Sequence, residues 1–367
     1  MAETTCHAAV FFEAGKPLGI QQFQIPQNME RGAALCKVRM STICGSDLHT
    51  ISGRRKEPTP IILGHEIIGE VVALGTGLDR DSFGHKLSIG DRVTWSIMAA
   101  CGNCFFCNRH LPQKCERLRK YGHLSCSESP HLTGGYAEYI YLFPGTALFK
   151  IPETVSDAVA TPANCALSTA INAVETIGLH EGETVLIQGA GLLGINLVAL
   201  ATDACAKRII VTDLSRSRLD LAAAFGAHRC INVGELGDEE VLSIIREDTD
   251  GYGVDIAFEV CGAVAAVGQA LDALRMGGRY LVAGLVMPGS HVEIDGDQIA
   301  RKCLTIQGIH NYRFDHLGKA IRFLEKYADQ LPYAKLVGRT FSLAEINDAV
   351  QAAASGKYIR VAIRGSQ

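Results

Sequence analysis

No stretch of the 367 residues approaches about 20 apolar residues without a break, so no membrane-spanning helix is expected. The opening MAETTCHAAVFFEAGK has neither a basic n-region nor an apolar h-region, and no secretory signal is read there. Neither charge is in excess: 35 Lys and Arg stand against 39 Asp and Glu, a net charge of −4. That balance argues against a nucleic-acid protein held by bulk charge. Internal repeats and low-complexity linkers are also missing. A composition of 47% hydrophobic and 20% charged residues excludes disorder as the dominant state. What remains is a cytoplasmic protein of about two domains, at ~150 residues each. Its 13 cysteines, an odd number without a signal segment, read as reduced thiols rather than a disulfide framework.

The texture changes near Leu167. Before it, short β-branched or apolar runs (Ala34–Met40, Ile67–Leu74, Asp91–Ile97, Tyr136–Leu142) sit between Gly, Pro, Cys and His, which predicts an irregular β-rich domain. After it, strands at Thr184–Gln188, Arg208–Thr212, Val254–Val260 and Gly278–Ala283 alternate with helices at Leu193–Asp203, Ser215–Phe225, Glu239–Asp248 and Ala263–Leu274. Such alternation predicts βαβ units and a parallel sheet, hence an α/β fold. Beyond Thr305 a strand, helices at His316–Tyr327 and Leu343–Ser355 and a last strand, Tyr358–Ile363, are expected.

The strand Thr184–Gln188 runs into Gly189-Ala-Gly191-Leu192-Leu193-Gly194 and an Ala/Leu/Val-rich helix. The first glycine permits a tight turn, the second lets backbone approach a pyrophosphate, and the third lets helix and strand pack closely. Phosphates then meet the N–H groups of the helix start at Leu192 and Leu193. Asp213 follows 19 residues past Gly194, at the end of the next strand. A carboxylate there accepts from a ribose 2′-hydroxyl and repels a 2′-phosphate, which favours NAD. Arg216 and Arg218 weigh the other way, since they could counter a 2′-phosphate.

Two cysteine arrangements suggest metals. Cys101, Cys104, Cys107 and Cys115 form C-x2-C-x2-C-x7-C, four thiolates able to close a tetrahedron around a structural zinc. An iron–sulfur cluster is the competing reading, weakened by the missing terminal Cys-Pro. Farther apart, Cys44, His65 and Cys165 make a Cys₂His set, the pattern of a catalytic zinc with its fourth position open. Each of the three also suits an ordinary core position.

Cys44-Gly-Ser46-Asp47, Gly64-His65-Glu66, the four-cysteine lobe, Cys165 and the Gly-rich turn occur in the order found in the medium-chain zinc-dependent alcohol dehydrogenases, which the chain resembles over essentially its whole length. The resemblance implies a GroES-like catalytic domain (1–166 and 306–367) carrying the zinc lobe. A Rossmann NAD-binding domain (167–305) is inserted in it, with an active-site cleft between the two. It implies two zinc ions per chain and NAD. Cys44, His65 and Cys165 are then the catalytic zinc ligands, Glu66 the nearby exchangeable carboxylate, and Asp47 the acceptor orienting His65. Arg360 becomes the arginine reaching the cofactor pyrophosphate. Cys165 separates the chain from the sorbitol-type branch, which has glutamate there. Ser46 is placed to take the alcohol proton and His49 to relay it to solvent. The implied partner is a small alcohol or aldehyde, in an assembly of two or four copies, without nucleic acid or membrane.

A narrower resemblance, in Leu111-Pro-Gln-Lys-Cys115, Leu118-Arg-Lys-Tyr-Gly122-His123 and Gly308-Ile-His-Asn-Tyr312, is to the alcohol dehydrogenase-like clade associated with phosphonate catabolism. Arg54 and Arg55, beside the zinc loop, could hold a phosphonate by bidentate bonds. A solvated basic turn is the plain alternative. Ile97 and Trp95 are candidate lining residues, and His310 begins the return to the catalytic domain. A polyol or amino-alcohol dehydrogenase, or a non-catalytic NAD-binding derivative of the fold, would share most of these features.

Overall fold

The computed structural model describes residues 4–365, which form two compact units: 4–165 with 313–365, and 166–312. No helix among the described residues is long and apolar enough to cross a membrane.

The first unit is built on antiparallel pairing. Strand Ala34–Thr42 lies between Glu66–Leu74 on one side and Arg360–Arg364 on the other, and Glu66–Leu74 continues to Arg92–Ala99. Val38, Ile67, Val71, Val93 and Trp95 fill the core over these strands. Two registers set the layout of the sheet edge. Thr42 stands opposite Glu66, and Ala362 opposite Thr42. The residues that continue each strand, Cys44, His65 and Arg360, therefore converge at one edge. A separate three-stranded sheet joins Thr5–Phe11 to Gly19–Gln24 and Ile61–Ile62.

The second unit is a six-stranded parallel sheet. In space its strands run Arg229–Asn232, Arg208–Asp213, Thr184–Gln188, Val254–Glu259, Leu274–Val282 and Thr305–Gly308. In chain order this is 3-2-1-4-5-6, the doubly wound arrangement whose order reverses between the first and fourth strands. Val185, Leu186, Ile187, Ile256, Ala257 and Phe258 are buried almost completely, as a sheet covered on both faces requires. The Glu259 carboxylate, fully buried at the strand end, accepts from the backbone N–H groups of Gly262, Gly284 and Leu285.

Two expectations change. Thr305–Gly308 pairs in parallel with Leu274–Val282, so it closes the second sheet, and the return to the first unit comes at Arg313 instead of residue 306. His310 accordingly lies in the second unit. The strand Arg229–Asn232 is an addition to the expected elements, because Arg-Cys-Ile-Asn at a sheet edge carries no apolar alternation.

Phe258→Ala should leave a cavity in the central strand and cost about 3–5 kcal/mol. The check is a lowered denaturation midpoint at unchanged slope.

Candidate active site

The sheet edge in the first unit gathers a donor set. Ligand atoms of Cys44, His65, Glu66 and Cys165 all lie within 4.8 Å of one another. Cys44 caps the short helix Gly45–Ile51, and its N–H donates to Asp47 Oδ2 at 2.9 Å. The other Asp47 oxygen accepts from Gly64 N–H at 3.4 Å and lies 3.5 Å from His65 Nδ1. One buried carboxylate thus ties the two ligand loops together. It also turns His65 so that Nε2 faces Cys165 Sγ, at 3.6 Å. Cys165 ends the turn Thr161–Asn164, and Asn164 Nδ2 fixes that turn by donating to the carbonyls of His65 and Trp95, both at 3.1 Å.

Glu66 is fully buried beneath this set. Arg360 donates to it through Nε at 2.8 Å and Nη2 at 2.9 Å, and Thr42 Oγ1 donates at 2.5 Å. Arg360 Nη2 also lies 3.6 Å from Cys44 Sγ. A hydrogen bond from Cys165, with the Arg360 charge behind it, holds the Cys44 thiol well below its usual range. The guanidinium expected on a cofactor pyrophosphate is therefore engaged with Glu66, and its Nη1 donates to the Ile359 carbonyl. Two soft sulfurs and an imidazole, buried and converging, are the chemistry of a zinc site that can leave a position for a fourth ligand.

The lobe cysteines also meet. The sulfurs of Cys101, Cys104, Cys107 and Cys115 lie within 4.8 Å of one another, with Cys101–Cys115 at 3.4 Å and Cys104–Cys115 at 3.9 Å. A tetrahedron with ~2.3 Å metal–sulfur bonds has edges of roughly 3.8 Å, so a single ion fits. A multi-iron cluster would hold the thiolates farther apart. The backbone N–H of Asn103 lowers the Cys101 thiol to about 6, readying a thiolate.

The three glycines of the Gly-rich turn sit in different surroundings. Gly189 has φ +111° and sits against Cys261. A Cβ on Gly194 would lie 1.8 Å from the Gly189 carbonyl, whereas one on Gly191 would meet nothing within 4 Å. Asp213 also braces the turn, its oxygens accepting from Ala190 N–H at 2.7 Å and Ser215 N–H at 2.8 Å. Leu192 is buried and starts the helix Leu192–Asp203 with Leu193. Arg216 pairs with Glu235, and Arg218 is half-buried in the first turn of its helix.

The remaining candidates fare differently. Ser46 and His49 lie on the helix that Cys44 caps, both partly exposed. Burial, then the charge of Arg54, lowers the His49 pKa, so its ring is neutral near pH 7. Arg54 is exposed. Arg55 is not a free anchor, since its Nε pairs with Glu57 at 2.7 Å. Ile97 and Trp95 are both buried, Trp95 within the core, and His310 is exposed in the second unit.

Beside His65 the structure places a polar group to which the sequence assigned no role. His123 lies with its ring 5.5 Å from that of His65 and donates from Nδ1 to Glu57 at 2.8 Å. Burial pushes its pKa down to about 4 and lowers that of Lys120.

Comparison with known proteins agrees with this geometry. Residues 30–153 match the alcohol dehydrogenase GroES-like domain, and residues 193–326 match the zinc-binding dehydrogenase domain. A 5-exo-hydroxycamphor dehydrogenase of Pseudomonas putida is 30% identical over 97% of this chain and 98% of its own. An L-threonine 3-dehydrogenase of Escherichia fergusonii is 31% identical over 93% of this chain and 96% of its own. The solved alcohol dehydrogenase of Thermotoga maritima superposes with a TM-score of 0.93 at 33% identity, covering 99% of this chain and all of that one.

Gly194→Ala should push the Gly-rich turn off its helix and raise the dissociation constant for the dinucleotide at least ~10-fold, about 1.4 kcal/mol. Calorimetric titration measures it; an unchanged constant would contradict the assigned role of the turn.

Proposed function

Because the chain belongs to the zinc-binding alcohol dehydrogenase family, we propose that Cys44, His65 and Cys165 hold its catalytic zinc and Cys101, Cys104, Cys107 and Cys115 its structural zinc. The chain is an NAD(P)-linked alcohol dehydrogenase that uses zinc. The observation that carries the assignment of the two metals is the difference between the donor sets. The lobe offers four sulfurs and is complete, whereas the sheet edge offers two sulfurs and one imidazole, with the Glu66 carboxyl beside them bonded to Arg360. Only the second set leaves room for a substrate oxygen.

When bound, the zinc supplies Lewis acidity that makes an alcohol hydroxyl acidic near pH 7, and the dinucleotide accepts hydride. The chain's own residues do the rest. Asp47 holds His65 in the orientation that directs Nε2 at the metal position. Arg360 hydrogen-bonds the Glu66 carboxyl and holds it beside the set, where it can exchange with the fourth ligand. Ser46 takes the hydroxyl proton and His49 passes it to solvent. With both groups bound, oxidation of the alcohol to a carbonyl compound would be matched by two-electron reduction of the dinucleotide and release of one proton. Asp213, with lone pairs remaining beyond its two backbone bonds, accepts from the ribose 2′-hydroxyl and favours NAD over NADP.

The substrate is an alcohol bearing an anionic group of the phosphonate class. The support is the basic turn Arg54–Lys56 beside the helix that carries Ser46 and His49, together with the resemblance to the phosphonate-associated clade. Arg54 and Arg55 contribute field here, Arg55 being held by Glu57. Thirteen thiols without a disulfide among the described residues suit a reducing cytoplasm, and the enzyme assembles as a dimer or tetramer.

An absorbance assay of NAD reduction should give kcat/KM for 2-hydroxyethylphosphonate at least ~10-fold above that for 1-propanol, about 1.4 kcal/mol of differential binding. Higher activity on 1-propanol would overturn the phosphonate assignment. Loss of all turnover in Cys44→Ser, with the fold kept, would locate the chemistry at the open set.

A further inference from the structure

The ring of Tyr136 covers the loop that presents His65. Backbone bonds pin its segment to that loop. Gly135 N–H donates to the Gly64 carbonyl at 2.8 Å and Tyr136 N–H to the Leu63 carbonyl at 3.0 Å, while the Tyr136 carbonyl accepts from Ala9 N–H at 2.7 Å. A Cβ on Gly134 would lie 1.9 Å from the Ile62 carbonyl oxygen, so the two segments lie backbone against backbone. The ring itself sits on Gly64, where a Cβ would lie 2.6 Å from Tyr136 Cδ1 and 2.7 Å from Cε1. Gly64 N–H donates to Asp47 Oδ1 at 3.4 Å, and the Tyr136 hydroxyl faces the same carboxylate. Burial first, then the Asp47 charge, keeps the proton on that hydroxyl.

Asp47 is 1% exposed and Tyr136 is fully buried. A buried carboxylate has about four lone-pair directions to fill and is costly while they stand empty. Cys44 N–H fills one at 2.9 Å, and the other contacts are longer, Gly64 N–H at 3.4 Å and His65 Nδ1 at 3.5 Å. The Tyr136 hydroxyl and His65 Nδ1 are both buried without a closed hydrogen bond. One carboxylate with acceptor capacity to spare thus stands between two buried donors that need an acceptor. Packing does not explain the hydroxyl. A phenylalanine would cover Gly64 with the same ring, and the oxygen adds only a donor.

We infer that Tyr136 is a positioning residue of the open metal set: its hydroxyl donates to the Asp47 carboxylate and fixes the plane in which that carboxylate holds His65. With the carboxylate held, the imidazole keeps the rotation that turns Nε2 toward Cys165 Sγ, 3.6 Å away. Tyr136 acts through Asp47 and His65 alone. The inference rests on the reading of Cys44, His65 and Cys165 as the catalytic zinc ligands and adds the group that keeps one of them aligned.

The test reads zinc retention instead of turnover. Holoenzyme is dialysed against buffers of stepped free zinc, and zinc per chain is measured by elemental analysis; the ion that Cys44→Ser lacks marks the open set. Tyr136→Phe should raise the dissociation constant of that ion at least ~10-fold and leave the lobe zinc unchanged, as loss of an outer partner of a ligand does. Asp47→Asn should raise it too, and Tyr136→Phe added to Asp47→Asn should then change it by less than ~2-fold, because groups that act through one another are not additive. An unchanged constant in Tyr136→Phe overturns the proposal. So does an equal loss with and without Asp47→Asn, which would make Tyr136 a packing residue. Where Asp47→Asn holds no zinc at the open set, the His65 Nδ1 resonance of zinc-loaded Tyr136→Phe decides: a shift from the unmodified enzyme supports the proposal, and an unchanged resonance overturns it. If the unmodified enzyme holds one zinc per chain, or Cys44→Ser still holds two, the metal reading itself is wrong, whatever Tyr136 does.

Discussion

The antiparallel register that sets Thr42 opposite Glu66, and Ala362 opposite Thr42, is the constraint on which the candidate site depends. Side chains along a strand alternate between faces, so a slip of one residue would turn Glu66 away from Arg360 and separate Cys44 from His65. The register is enforced from both sides. Apolar residues such as Val38, Ile67 and Val71 commit one face of the strands to the core. At the open edge, Asp47 ties the backbone of Cys44 to that of Gly64, and Arg360 spans Glu66 and Cys44. Three segments far apart in the chain meet because the sheet allows only one pairing.

Charge at this edge is arranged in layers. Glu66, fully buried, would be costly unpaired, and Arg360 and Thr42 satisfy it. The turn after the helix that Cys44 caps carries Arg54, Arg55 and Lys56 against Glu57. A metal bound within the set would add its own positive charge to that side.

The local motifs were legible in the sequence because each is a short-range statement. The Gly-rich turn needs three glycines at fixed spacing between a strand and a helix, and the lobe needs four cysteines within one loop; the structure realises both geometries. Cys44, His65 and Cys165 were readable as a Cys₂His donor set, but their convergence was implied only by the resemblance, because nothing local links residues so far apart. What escaped the sequence was the set of tertiary partners. Arg360 looked free to reach a cofactor and Arg55 free to reach a substrate, yet each is engaged by a glutamate, Glu66 and Glu57. Trp95 and Ile97 read as possible lining residues, but alternation along a strand buried on both faces does not say which side meets a ligand. The stretch Leu118–His123 carried a resemblance in the sequence and no site, since only the approach of Gly122 to Gly64 places it beside His65.

The central claim is that one chain carries a closed four-sulfur zinc site and an open Cys₂His site. X-ray absorption at the zinc edge tests it most directly, because sulfur and nitrogen or oxygen neighbours are resolved by distance. Averaged over the two ions, the account predicts about three sulfurs near ~2.3 Å and about one nitrogen or oxygen near ~2.0 Å per zinc. A shell with two sulfurs or fewer per zinc, or a single metal ion per chain, would contradict it.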